Sequence, residues 1–142
     1  MSVPVVCVID GQGGGIGGVI VKVLRQEFGE QIEVVALGTN AVAASMMMKA
    51  GANKVASGEN AIVHCVAQAR VVTGPLGIVL ANSMMGEMTP RAALAVASSP
   101  ATKLLLPLNQ ENVEVVGVTR EPLPHLVDEL VRVRLRKLLD QP

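Results

Sequence analysis

The sequence predicts a doubly wound α/β domain built on a mostly parallel sheet of about six strands. Three observations predict it. Short valine-rich apolar runs alternate with segments of helical spacing along the chain, the pattern of strands joined by crossover helices. The first run ends directly in a dense cluster of glycines, where a strand would turn sharply into a helix. Half of the residues are apolar, as expected when helices cover both faces of a parallel sheet.

Each element follows from local signals. Val3 to Ile9 is an apolar run that stops at Asp10 and the glycines, as a buried strand does. Ile16, Ile20, Val23, Leu24 and Phe28 then recur at helical spacing, with Gly29 as the stop. Ile32 to Leu37 is the second strand, ended by Gly38. Residues 40 to 50 read as a helix with Thr39 as N-cap and Gly51 at its end. Lys54 to Ala56 is a brief third strand, Glu59 to Ala69 the third helix, and Arg70 to Thr73 the fourth strand, stopped by Gly74 and Pro75. Pro90 suits the first turn of a helix reaching Ser99. Lys103 to Leu106 and Val113 to Val118 are the fifth and sixth strands. So few residues separate these two that a parallel crossover, which needs a dozen or more, does not fit, and the sixth strand is expected antiparallel at an edge. Pro122 to Leu139 is the last helix. Right-handed crossovers favour the strand order 3-2-1-4-5-6.

Composition narrows the function classes. The 142 residues suit a single domain, 1–142, that needs no disulfide or metal staple. Twelve basic and twelve acidic residues cancel, which argues against a nucleic-acid partner. The only aromatic residue is Phe28, so chemistry through a tyrosine phenol is excluded and base stacking has no platform. No metal-ligand spacing involves Cys7 or Cys65, and both read as inert thiols of a reducing compartment. No apolar run reaches the ~18 residues of a membrane helix, and no signal-type leader is visible. These features predict a cytoplasmic protein without a membrane partner. The high apolar fraction predicts a homo-oligomer.

The glycine cluster is the main functional signal. Six of the eight residues from Gly11 to Gly18 are glycine. Glycines let backbone N–H groups approach a phosphate, and the dipole of the following helix favours the anion. The expected binding residues are Asp10, Gly11, Gln12, Gly13, Gly14, Gly15, Ile16 and Gly17, at the point where strand order reverses. Gly13-x-Gly15-x-x-Gly18 matches the dinucleotide fingerprint of a Rossmann-like fold, and a P-loop is disfavoured because no Lys-Ser/Thr pair follows the glycines. Asp10 beside a phosphate loop reads first as a cap of the loop's backbone and second as a cation ligand.

Beyond the second strand an NAD site usually carries an acid that bonds the ribose. Here Gly38, Thr39 and Asn40 stand instead. Without an acid to repel it, a 2′-phosphate is acceptable to Thr39 and Asn40, so NADP is expected slightly ahead of NAD. Leu76 to Thr89 is expected to stay at the binding edge as a lid, with Gly74, Pro75, Asn82 and Ser83 contributing to the pocket. Glu87 reads as a cap of the helix at Pro90, or as an acid or base. His64 and His125 stand alone and read as surface or helix-end residues.

The stretch Gly11-x-x-x-Gly15-Ile16-Gly17 resembles the cofactor loop of short-chain dehydrogenases. The likeness stops there, because that family's catalytic tyrosine has no counterpart. Over most of its length the chain resembles a family of small, uncharacterised bacterial proteins. The resemblance rests on DGQGGGIG at 10 to 17, ALGTNA at 36 to 41, KAGAN at 49 to 53, GENAIV at 58 to 63, ANSMMGEMTP at 81 to 90 and LPLN at 106 to 109. It implies a shared site without an assigned activity. The expected function is binding of a nicotinamide dinucleotide, NADP or NAD, in a redox enzyme or sensor. The alternatives are a non-enzymatic regulator binding another nucleotide and a transferase using a nucleotide-like cosubstrate.

Overall fold

The structure, a computed structural model, describes residues 2–108 and 112–141. Five strands, β1 Val5–Asp10, β2 Glu33–Gly38, β3 Lys54–Ser57, β4 Val71–Pro75 and β5 Thr102–Leu106, form one sheet. The order is β3-β2-β1-β4-β5 and every pairing is parallel. The helices are α1 Gly15–Phe28, α2 Ala41–Lys49, α3 Glu59–Val66, α4 Pro90–Ser98, α5 Leu123–Asp128 and α6 Arg136–Leu139, with a π-helical stretch Glu129–Leu135 joining the last two. No helix among the described residues is long and apolar enough to cross a membrane.

The two faces of the sheet carry separate cores because successive strand residues point to opposite sides. Val6 and Val8 of β1 pack with Ile20, Leu24 and Phe28 of α1 and with Val127, Val131 and Leu135 near the C-terminus. Cys7 and Ile9 pack with Ile62 and Val66 of α3 and Ala92 and Val96 of α4 on the other face. The C-terminal helical region is also tied to α1 by charge. Arg132 and Arg136 pair with Glu27, and the Arg136 guanidinium lies 4.4 Å from the centre of the Phe28 ring.

Three expectations need correction. Among the described residues there is no sixth strand: Val113–Val118 forms no strand of the sheet, and Val115, Val116 and Val118 are exposed, Val116 to 98%. Among the described residues the segment makes an isolated bridge at Val113 and turns at Val116–Gly117, so the β-branched residues that suggested a strand do not extend into a ladder. The sheet is therefore wholly parallel. The N-cap of α2 is Asn40 and not Thr39: the Asn40 Oδ1 accepts the Ala43 N–H at 2.8 Å. The third helix ends at Val66, three residues earlier than its apolar spacing suggests.

Candidate functional site

At the carboxyl edge of β1 the chain reverses into α1, and the fate of each backbone N–H from Gly11 to Gly18 can be followed. Asp10, 4% exposed, turns its carboxylate under the loop. Its Oδ1 accepts from Gly11 N–H at 2.8 Å and its Oδ2 from Gly17 N–H at 2.6 Å, with Ile16 N–H contributing. It thus satisfies donors in the first turn of α1 that have no intrahelical partner. Burial pushes the Asp10 carboxyl above its ordinary value, and these backbone donors pull it partway back. The capping reading of Asp10 is what the geometry shows. Gly14 and Gly18 N–H groups bond to the Gly11 and Gly14 carbonyls. Gln12 N–H donates to Glu87 Oε1 at 2.8 Å. Gly13 and Gly15 N–H groups have no partner among the described residues.

The glycines divide along the same line. A Cβ at Gly14, whose φ is +74°, would lie 2.8 Å from the Ala43 backbone, and one at Gly17 would lie 2.8 Å from the Asp10 Cβ. Packing accounts for these two. A Cβ at Gly13 or Gly15 would meet nothing, and neither residue has a left-handed φ. The fold has no need of glycine at these positions, and both are exposed.

The other expected residues are distributed unevenly. Thr39 and Asn40 follow β2 beside the loop, and Asn40 Nδ2 also donates to the Gln12 carbonyl at 3.0 Å. Gly38, Gly74 and Pro75 are buried at the ends of β2 and β4. The segment after β4 forms a short 3-10 turn, Leu76–Val79, and then a chain of turns to Met88. Asn82 is exposed, and the buried Ser83 spends its hydroxyl on the Gly77 carbonyl at 2.6 Å. The side chains that this segment brings to the loop are instead Met84, whose Sδ lies 2.6 Å from where a Cβ on Gly11 would sit, and Glu87.

Glu87 is the residue that sequence reasoning placed elsewhere. Its Oε1 accepts from Gln12 N–H at 2.8 Å, Thr39 Oγ1 at 2.7 Å and Asn40 Nδ2 at 2.8 Å. These donors, Thr39 foremost, hold the Glu87 carboxyl below the usual carboxylate range, so it is ionised at neutral pH. Glu87 therefore brings a carboxylate to the end of β2 from 48 residues beyond Thr39. The helix at Pro90 is capped by Thr89, whose hydroxyl accepts from Ala92 N–H and donates to Glu59.

A cleft of about 890 Å³ opens beyond the ends of β4 and β5. Leu76, Pro107, Leu108, Leu123 and Leu126 supply its apolar wall, and Glu114, Arg120 and Glu121 its polar one; no residue from Gly11 to Gly18 lines it. Ile16, in the first turn of α1, packs in the same apolar cluster as Leu108, Leu123 and Leu126. The cleft and the loop therefore share one edge of the sheet. Below them, Thr73 is 2% exposed and its hydroxyl has no partner among the described residues. Cys7 is fully buried, and burial pushes its thiol up to about 12, so it stays protonated and inert. No group of His, Cys, Asp and Glu among the described residues is arranged to hold a metal ion.

Residues 5–139 match a family model described as a domain of unknown function, DUF3842. No curated protein and no solved structure matches the chain.

Proposed function

The chain belongs to the DUF3842 family, and from that premise we propose that it binds a nicotinamide dinucleotide, NADP or NAD, in the manner of a Rossmann-like domain. The observation that carries the reading is the pair Gly13 and Gly15. Their N–H groups are free and exposed at the start of α1, and neither packing nor backbone conformation asks for glycine there. A ligand phosphate that must approach the backbone closely does ask for it. The cleft beyond β4 and β5 offers the mixed apolar and polar walls that suit the second half of a dinucleotide or a substrate.

The test is a pair of calorimetric titrations, with NADP and with NAD, on the wild type and on Gly15→Val. A Cβ at this position meets nothing within 4 Å, so the variant is expected to fold, and a thermal melt checks it. Wild-type binding by either dinucleotide, lost in the variant, is the expected result. Equal affinity in a folded variant overturns the reading.

A second reading, a nucleotide-responsive regulator without turnover, is favoured by Glu87. Its carboxylate ties a surface segment to the loop, so a ligand entering there moves that segment.

A further inference from the structure

We infer that Gln12 N–H, Thr39 Oγ1 and Asn40 Nδ2 form a built anion site for the 2′-phosphate of an adenine nucleotide, and that Glu87 fills this site when no ligand is bound. The inference rests on the nucleotide-binding reading of the glycine loop and specifies what governs it. Three donors from two separate segments converge on one anionic oxygen at 2.7 to 2.8 Å. That is the donor set a phosphate oxygen takes. A ribose acid would use the opposite arrangement, a carboxylate facing outward with its oxygens open to hydroxyls. Here the oxygen nearest the strand end is saturated by the protein itself.

The occupant also covers the ground an adenosine would need. Met84 Sδ and Glu87 Oε1 lie 2.6 and 3.1 Å from where a Cβ on Gly11 would sit. The segment that carries both is held in an unusual backbone. Asn82, Met84 and Met85 have φ of +66°, +57° and +58° without being glycine. Side chains rarely adopt this region, and such residues persist only where surrounding contacts hold them. The turn is closed by Asn82 N–H to the Met88 carbonyl at 2.7 Å and Met88 N–H to the Ser83 carbonyl at 3.2 Å, and Glu87 ties it to the loop. When a phosphate takes its three donors, the carboxylate loses its partners on the loop, and the turn from Asn82 to Glu87 keeps its own backbone bonds but loses that tether. Apparent affinity is reduced by the fraction of molecules in which Glu87 occupies the site.

The experiment titrates adenosine 2′,5′-bisphosphate and AMP into the wild type and into Glu87→Gln, and follows backbone amide exchange at residues 82–88 in the wild type. Glu87→Gln keeps the size and removes the charge. It is expected to bind the bisphosphate about tenfold more tightly than the wild type does, because a neutral amide oxygen holds the three donors less strongly than the carboxylate, while AMP changes less. Saturating the wild type is expected to speed exchange at 82–88, a readout that needs no variant. The opposite results overturn the inference: weaker binding by Glu87→Gln, which marks Glu87 as a ribose ligand, or slower exchange at 82–88 on binding. If Gly15→Val abolishes binding but Glu87→Gln leaves both affinities unchanged, this inference fails and the loop reading stands. If neither nucleotide nor either dinucleotide binds any form, both fail.

Discussion

Asp10 Oδ2 and Gly17 N–H lie 2.6 Å apart, so the last residue of the first strand caps the first turn of the helix that follows it. The carboxylate is buried beneath the loop, where it leaves the outward N–H groups of Gly13 and Gly15 untouched. Asp10→Asn preserves the shape but faces an amide NH₂ against a backbone donor. We expect it to lower stability by roughly 1–3 kcal/mol at neutral pH, the usual penalty for a buried donor left unpaired. Burial raises the Asp10 pKa on folding, so the pH-linked part of its contribution is complete below the unfolded value and is lost as pH rises through the folded one, while the capping bonds remain. The stability difference between wild type and Asp10→Asn should therefore narrow with rising pH across that window. Urea unfolding at a series of pH values measures it, and a difference that widens contradicts the assignment.

The glycines of the loop should separate cleanly in stability. Gly15→Ala, in the first turn of α1 with open space around its Cβ, is expected to raise stability by about 0.5–1 kcal/mol through the unfolded chain. Gly14→Ala meets the Ala43 backbone in a left-handed conformation and is expected to cost about 1–3 kcal/mol, the scale of such backbone strain. Thermal melts of the two variants give the comparison. Equal shifts would mean that the loop does not hold this conformation.

Thr73 carries a buried hydroxyl without a partner among the described residues. Valine has the same branching and no donor. Thr73→Val is therefore expected to be neutral or stabilising, by up to about 1–3 kcal/mol, because the desolvation penalty disappears with the hydroxyl. A loss of stability on chemical denaturation would show that the hydroxyl is bonded in solution.

Glu87 is ionised through its three donors, and its pKa lies below the ordinary value. A depressed carboxyl contributes stability that is present above the unfolded pKa and lost as pH falls through the folded one. The Gln12 amide proton, which bonds to it, should shift in NMR spectra over that acidic range. The same proton should not titrate there in Glu87→Gln. A pH-independent Gln12 signal in the wild type would remove Glu87 from the loop.

The features legible in the sequence were those with a local cause. The run Val3 to Ile9, the glycines and the spacing from Ile16 to Phe28 located β1, the loop and α1 to within a few residues, because one strand, one turn and one helix follow each other along the chain. The expected order agrees with the sheet for its five strands, 3-2-1-4-5, and not for the sixth. What was not legible depended on partners far away in sequence. Val113 to Val118 has strand composition, but a strand exists only where a neighbouring backbone accepts it. Thr39 and Asn40 are both good caps by type. In the fold Glu87 accepts from both the Thr39 hydroxyl and Asn40 Nδ2, and Asn40 Oδ1 is the atom that takes the Ala43 N–H. No local signal around residue 87 points to residue 12.

The three bonds of Glu87 also set an order of events during synthesis. They bridge 75, 48 and 47 residues of chain, and contacts of such separation form only after the loops between them have closed. A nascent chain that has emerged only through α2 already contains the glycine loop, Thr39 and Asn40, but not the residue that sits on them. For that interval the residues that supply the three donors are present without their internal occupant, which arrives only with the second half.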